Sequence, residues 1–340
     1  MSLKIDRELK EELKETYLWR YMSLDKFIDL IKTQSIYFAT NTQLITGDPY
    51  EGALFFFTNV LFCLDSDYQN KKVEYNNLAK PLVQWLEDTK TLNISSKISN
   101  IRNNTFINCW HINEDENYLM WQSYAHKKGD IAIVSDIESL IEAIETDIDI
   151  EAIKVNYSSK DFNKEMSSIT NINYGRDNDL KNLIKISSKY KKEPFKNENE
   201  LRLIFQLDNN NNFNQKIKVN LDKLIKYIYV SPSSSNTEKQ TIINLLKPLI
   251  QQNKINSNII NEVYTSLISN TYITEINEFN TDIAIAGKFG IEKTDNEDEQ
   301  KRLLYMIFSL IFDQDTPPHK RERERRKIEA LTKNQLSHKQ

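Results

Sequence analysis

Short strand-like segments alternate with helical ones along most of this chain, and the alternation limits the fold more than any other feature. The first clear block has a strand at 17–21, an amphipathic helix at 23–34 and a strand at 35–40. Further strands are predicted at 106–112, 131–135, 153–158, 200–207 and 225–232. Helical patterns separate most of these strands, so the sequence predicts an α+β fold built on a mixed central sheet.

Helical signals dominate the remaining stretches of the chain. A charged helix is expected at 4–15 and a longer helical stretch from 53 to about 90. Strand signals weaken beyond about residue 236, and the segment 303–312 is almost entirely apolar. We therefore predict two domains: an α+β ligand-binding or catalytic domain at 1–265, and a helical appendage with a charged tail at 266–340.

Composition excludes several classes of protein. The 45 Lys and Arg residues are balanced by 49 Asp and Glu, so a uniformly basic nucleic-acid binder is excluded. Only six glycines are present and no Gly-rich phosphate loop occurs. Four scattered histidines and two cysteines give no zinc-ligand spacing, so no metal is expected. The longest apolar runs are shorter than the roughly 20 residues that span a bilayer, and the N-terminus lacks a signal core. We expect a cytoplasmic protein without membrane contact.

Two polar clusters stand in the first fifty or so residues. Arg20 and Tyr21 close the opening strand, and a guanidinium there could bind a phosphate through two parallel hydrogen bonds. An exposed Arg beside a half-buried Tyr would look the same. Asp48 and Glu51 flank a Pro–Tyr pair, where they could hold a sugar hydroxyl or a metal. An Asp–Pro pair is equally typical of a structural helix start.

Two further clusters lie later in the chain. Tyr118, Trp121 and Tyr124 recur every three residues on a predicted helix, so they could form core or a platform for a flat ring. Glu198, Glu200 and Arg202 alternate at the start of a strand, which predicts that they share one face. They could form a surface ladder, or a polar cleft in which one carboxylate stabilises a cationic ligand.

Six short motifs occur in an order that resembles a known bacterial family. They are LWRY, SIYFAT, GDPYEG, FINCWHINEDENYLMWQSYAHKKGDIAI, KNENELRLIF and IKYIYVSP. Together they resemble the domain-of-unknown-function family 2971 over about residues 17–250. The chain departs from the family pattern at Gly47, where that family tends to have Asn, and at 123–127, where histidines are shifted or replaced.

The layout of that family is similar, in turn, to the ADP-ribosyltransferase superfamily. This resemblance implies a split-sheet arrangement of the mixed sheet and NAD as a substrate. Glu200 would be the catalytic carboxylate that stabilises the developing charge on the ribose, and Glu198 would position the acceptor. Arg20 would complete the catalytic set by anchoring NAD, and Tyr37 or Tyr124 would stack on the nicotinamide. The NAD-binding residues implied are Arg20, Tyr21, Tyr37, Asp48, Glu51, Trp121, Tyr124 and Arg202.

The resemblance also implies a role in bacterial antiphage defence or as a toxin, with the acceptor open between protein and nucleic acid. The alternative function is a non-catalytic module that senses a nucleotide or a nucleic acid with the same cleft. A third hypothesis is a metal-dependent nuclease whose site is formed by Asp48, Glu51, Glu198 and Glu200. The apolar segment 303–312 could dock a second copy of the chain or a partner protein.

Overall fold

The computed structural model describes residues 3–45, 94–168, 176–208 and 213–266. The predicted helix at 53–90, the candidate residues Asp48 and Glu51, and all but Ser266 of the predicted appendage lie outside these ranges. In chain order the elements are β1 (Leu3–Ile5), α1 (Arg7–Glu12), β2 (Tyr17–Met22), α2 (Leu24–Thr33), β3 (Ser35–Tyr37), β4 (Ala39–Thr40), α3 (Asn41–Ile45), α4 (Ile94–Asn103), β5 (Thr105–Ile112), α5 (Tyr118–Tyr124), β6 (Ile131–Asp136), α6 (Ile137–Ala143), β7 (Ile144–Glu145), β8 (Ile150–Lys154), α7 (Ser159–Ser168), α8 (Asp177–Ser187), β9 (Glu200–Gln206), β10 (Lys216–Val219), α9 (Leu221–Leu224), β11 (Tyr227–Val230), α10 (Asn236–Gln251) and β12 (Val263–Thr265).

The chain divides into two compact units, and two of the five dividing points fall inside strands: in β2, after Arg20, and in β6, after Val134. Unit 1 holds residues 1–20, 28–115 and 135–225, and unit 2 holds residues 21–27, 116–134 and the chain from Lys226 onward. In the part of the chain that the structure describes, no helix has the length and apolar character needed to cross a membrane.

The main sheet of unit 1 has the strand order β1–β8–β9–β5–β2, with β4 also pairing with β5. β1 and β8 run parallel, whereas the β8–β9, β9–β5, β5–β2 and β5–β4 pairs are antiparallel. The predicted α+β class with a mixed sheet is therefore confirmed. Strand β9 is buried at every position from Glu200 to Phe205, and strands of the same sheet pair with it on both sides.

Aromatic rings and branched aliphatic side chains form the core of unit 1. Phe106 on β5 stacks on Phe205 of β9, with ring centroids 5.0 Å apart, and Phe38 and Phe213 contact Phe205 edge-on. A second apolar cluster joins α4, α7 and α8 around Ile184. Because such buried rings each remove a large area from water, they are the main stabilising element of the unit.

The segment that was expected to form one strand at 35–40 forms two strands in different sheets. Strand β3 belongs to a second, three-stranded sheet of unit 1 in the order β3–β10–β7, whereas β4 joins the main sheet through β5. Phe38 lies between them, and its backbone N–H donates to the Gln215 carbonyl oxygen at 2.7 Å. This hydrogen bond continues the antiparallel register of β3 with β10, and the next residue, Ala39, pairs with Ile107 of β5 in the main sheet.

Other element boundaries also differ from the sequence prediction. Residues 3–5 form strand β1, beside β8, and the helix that was expected from residue 4 starts at Arg7 after its Asp6 cap. Strand β8 lies at 150–154 instead of 153–158. Helix α5 starts at Tyr118, because Asn117 caps it and leaves the acidic residues 114–116 outside the helix. The short strands β7 and β10 were not predicted.

Unit 2 contains β11 between β12, which is parallel to it, and β6, which is antiparallel. Helix α10 buries one face, with Ile242 and Leu246 fully enclosed. A capping box starts this helix: the Ser235 hydroxyl accepts from a backbone N–H, and the Glu238 carboxylate accepts from the Ser235 N–H at 2.7 Å. Asp130 closes a turn by accepting from the Lys127 and Leu24 backbone amides.

Candidate functional site

Strand β5 presents two chemically different faces in unit 1. Its register with β9 places His111 opposite Glu200 and Cys109 opposite Arg202. Directly opposed residues share a face and adjacent residues alternate, so these four side chains lie together. We call them the Glu200 face. Asn108 and Trp110 point to the other side of the sheet. There they lie with Arg20, whose guanidinium carbon is 5.8 Å from the centre of a Trp110 ring.

The Glu200 face carries a network of buried charges. Arg202 donates from Nε and Nη2 to the same Glu200 oxygen, at 3.1 and 2.7 Å, and from Nη1 to the Ser188 carbonyl oxygen at 2.8 Å. Lys191 forms an ion pair with Glu198, and its Nζ lies 3.8 Å from the Glu200 carboxylate. Two cations thus balance two carboxylates, which makes their burial tolerable.

Burial and charge oppose each other at Glu200. Only 6% of the residue is exposed, and Arg202 is fully buried. Burial alone would raise the pKa of the Glu200 carboxyl group, but Arg202, Lys191 and a hydrogen bond from the Cys109 thiol outweigh this and hold the pKa below its usual value. The carboxylate is therefore ionised and fully engaged by groups of the protein itself.

His111 and Tyr157 complete the surroundings of Glu200. The His111 ring donates from Nδ1 to the Glu198 carbonyl oxygen at 2.5 Å. Burial lowers the pKa of His111, and the Glu198 carbonyl and Glu200 offset this only in part. The Glu200 backbone N–H donates to the Tyr157 hydroxyl at 3.1 Å. Burial, together with the Glu200 charge, raises the pKa of Tyr157. Both side chains are therefore favoured in their neutral forms.

The opposite side of the sheet, the Arg20 face, consists of Arg20, Tyr37, Asn108 and Trp110. Arg20 donates from Nη2 to the Tyr37 carbonyl oxygen at 3.2 Å, and Asn108 donates to the same oxygen at 2.8 Å. The Trp110 indole N–H donates to the Asn108 side-chain oxygen at 2.7 Å. Burial lowers the pKa of Arg20 to about 10, and Cys109 offsets the effect in part. Over the described ranges, no carboxylate lies within ion-pair distance of this guanidinium.

The side chain of Tyr37 leads to a set of neutral polar groups. Its hydroxyl lies 3.0 Å from Gln43 Oε1 and also contacts Gln215 Oε1. Gln215 Nε2 donates to Gln43 Oε1 at 3.4 Å. Tyr37 is 38% exposed, so solvent reaches this group. Gln215 has a positive φ of 59°, a conformation that residues other than glycine rarely adopt.

The aromatic residues predicted on α5 have different environments within unit 2. Trp121 is fully buried, makes an edge-on contact with Tyr21 at 4.9 Å, and donates from its indole N–H to Glu116 at 3.1 Å. The Tyr21 hydroxyl accepts from the Asn117 backbone N–H at 2.8 Å. Tyr118 and Tyr124 are about half exposed. Trp121 and Tyr21 are therefore core residues, and the three-residue spacing does not give one continuous aromatic stripe.

The structure brings some of the predicted site residues together and separates others. Glu200 and Arg202 share a face, as predicted. Glu198 ends the short 3-10 helix before the strand, and the positive φ of 37° at Asn199 breaks the alternation. The Glu198 side chain contacts this group through Lys191, and its carbonyl oxygen accepts from His111. Arg20 lies on the opposite face of the same sheet from Glu200. The described residues contain no group of three or more acidic, histidine or cysteine side chains placed to hold a metal ion.

Several residues that lie on these two faces or contact them were not singled out from the sequence. They are Lys191, His111, Cys109, Asn108, Trp110, Tyr157, Gln43 and Gln215. Alternation of side chains along 106–112 does predict that Asn108 and Trp110 lie on the other face of the strand from Cys109 and His111. Nothing local in the sequence indicates that Gln43 and Gln215 meet at Tyr37.

The faces described above lie partly inside a segment that resembles a known family. Residues 120–203 match the family model described as protein of unknown function (DUF2971). This segment carries Lys191, Glu198, Glu200 and Arg202, so the resemblance inferred from the motifs is confirmed over this part of the chain. No curated protein and no solved structure matches the chain.

Proposed function

We propose that this protein binds a nucleotide and that Arg20 binds one of its phosphate groups. The observation that carries the proposal is the environment of Arg20. Its guanidinium has an indole ring and a backbone carbonyl as neighbours, and within the described residues it has no carboxylate partner. Because the neighbours of this partly buried guanidinium among the described residues are neutral, an anion bound there would be favourable. The planar guanidinium matches the geometry of phosphate oxygens.

The geometry supports binding better than ADP-ribosyl transfer. Transfer would need Glu200 and Arg20 to act on one NAD molecule, but the two side chains project from opposite faces of the sheet. Glu200 is also engaged by Arg202 and Lys191. We therefore favour the non-catalytic nucleotide-sensing module over the transferase. NAD is the first nucleotide to test, because the resemblance to ADP-ribosyltransferases implies it.

Calorimetric titration with NAD and ADP tests the proposal. Hydrogen bonds to charged groups contribute about 1.5–3 kcal/mol, so Arg20→Gln is expected to weaken binding by roughly 10- to 100-fold. Arg20→Lys keeps the charge but loses the planar fork and should weaken binding less. Arg7→Gln removes an exposed arginine of the same unit and serves as the matched control.

A nicotinamide-release assay run beside the titration separates binding from turnover. We expect binding without release. Undiminished nucleotide binding by Arg20→Gln, or no binding by the wild-type protein, would overturn the proposal. Release of nicotinamide that disappears in Glu200→Gln while the variant stays folded by circular dichroism would instead support the transferase.

A further inference from the structure

The neutral hydrogen-bonding groups at Tyr37 lie next to the candidate phosphate site. The proposed binding of a phosphate by Arg20 does not involve them. One residue connects the two: the Tyr37 carbonyl oxygen accepts from Arg20, and the Tyr37 hydroxyl contacts both glutamine side chains. The three side chains carry amide and hydroxyl donors and acceptors without any formal charge. Groups of this kind recognise the polar edge of a planar ring, whereas the guanidinium recognises an anion.

The backbone at Gln215 gives a second, independent reason to look for a ligand here. A φ of 59° is adopted readily by glycine and is disfavoured for glutamine. The carbonyl oxygen of Gln215 accepts from the Phe38 N–H, which helps to hold this conformation. The glutamine therefore keeps its amide beside Tyr37 at a conformational cost that glycine would avoid. Such costs concentrate at functional positions.

We infer that Tyr37, Gln43 and Gln215 recognise the hydrogen-bonding edge of a nucleobase-type ring in the nucleotide whose phosphate Arg20 binds. This inference rests on the proposed function, because it assigns the other end of the same ligand. Gln43 is exposed and Gln215 is half-buried, so solvent reaches both residues. The Thr40 backbone N–H donates to Gln43 Oε1 at 2.8 Å, which fixes the Gln43 side chain beside Tyr37. The glutamines supply specificity for the ring and Arg20 supplies the attraction for the phosphate.

Gln215→Gly is the decisive variant, because it removes the amide at a position where glycine is the residue best suited to the backbone. We expect it to keep the melting temperature or raise it. Gln34 also has a positive φ, of 49°, so Gln34→Gly is a matched control for the backbone effect. Gln43→Ala is a second variant that removes the other amide.

The probes are ADP, which has a ring, and inorganic pyrophosphate, which has none, in calorimetric titrations. One lost hydrogen bond corresponds to a weakening of roughly three- to tenfold. We expect Gln215→Gly and Gln43→Ala to weaken ADP binding by that factor and to leave pyrophosphate binding unchanged. Gln34→Gly should change neither, and Arg20→Gln should weaken both.

The outcomes distinguish the two proposals. Unchanged ADP binding by Gln215→Gly, or equal weakening for ADP and pyrophosphate, would overturn the recognition of the ring while the phosphate site stands. Unchanged binding of both probes by Arg20→Gln would overturn the phosphate site, and the inference built on it would fall with it.

Discussion

Replacing Glu200 by Gln is expected to destabilise unit 1 strongly, because the substitution removes a charge that a buried cation needs. Arg202 is fully buried and directs two of its hydrogen bonds to one oxygen of Glu200. Removing one partner of a buried ion pair costs about 3–5 kcal/mol. Gln keeps an acceptor oxygen at the same place, so we expect a loss near 3 kcal/mol. For a unit of this size that corresponds to a fall in melting temperature of roughly 6–12 °C.

Urea unfolding followed by circular dichroism measures this loss, with two further variants for comparison. Glu193→Gln changes an exposed carboxylate just upstream and should stay within about 0.5 kcal/mol of the wild type. Glu200→Leu combined with Arg202→Met removes both charges. It should recover much of the stability, because a well-packed apolar pair replaces a buried ion pair at little cost.

The pH dependence gives an independent check on the same variant. The pKa of Glu200 is lowered in the folded protein, so its contribution is present above the unfolded value of about 4.3 and is lost as the pH falls through the folded value. The difference in stability between wild type and Glu200→Gln should therefore be full at pH 7 and shrink in strong acid. A loss below 1 kcal/mol at pH 7, together with abolished turnover of NAD, would refute the structural role and assign Glu200 to catalysis.

Two further substitutions test other parts of the described structure. Because burial lowers the pKa of His111, its contribution to stability is present above about pH 6.5 and is lost as the pH falls through the lower folded value. His111→Gln should therefore flatten the dependence of the unfolding free energy on pH between about 7.5 and 5. Ser235→Ala removes the N-cap of α10 and should lower the unfolding free energy by about 1 kcal/mol in denaturant titrations. Thr241→Ala is the control: this residue is exposed in the middle of the same helix, and its substitution should leave the unfolding free energy unchanged.

Local patterns predicted the strands that form the centre of unit 1 but not how they meet. The strand-like segments at 106–112 and 200–206 form β5 and β9, and the geometry of a strand sorts their side chains into two faces. Which faces coincide depends on the register of His111 with Glu200 and of Trp19 with His111. That register is set by contacts between distant parts of the chain. The sequence therefore could not reveal that Arg20 and Glu200 lie on opposite faces of the sheet.

The change of sheet at Phe38 could not be predicted from the sequence either, because it also depends on contacts between distant parts of the chain. Residues 35–40 have the composition of one continuous strand, and nothing local marks a break. The change of sheet depends on segments far away in the chain, because Phe38 bonds to Gln215 beside β10 and Ala39 pairs with Ile107 of β5. The conformation of Gln215 is equally invisible beforehand, because a glycine, the usual marker of positive φ, is missing there.

The carboxylate motif at 198–200 shows why spacing alone did not decide between a catalytic and a structural site. Two glutamates at a strand start predict a shared face, but Asn199 turns the chain. Glu198 contacts the network with its side chain through Lys191 and with its carbonyl oxygen through His111. A catalytic carboxylate keeps part of its surface for a substrate, whereas Glu200 is enclosed by cations of its own chain. Lys191 and Arg202 supply those cations, and both lie outside the motif. The distinction therefore depends on the burial of the partners of the carboxylates, a property that arises only when α8 and β9 pack together.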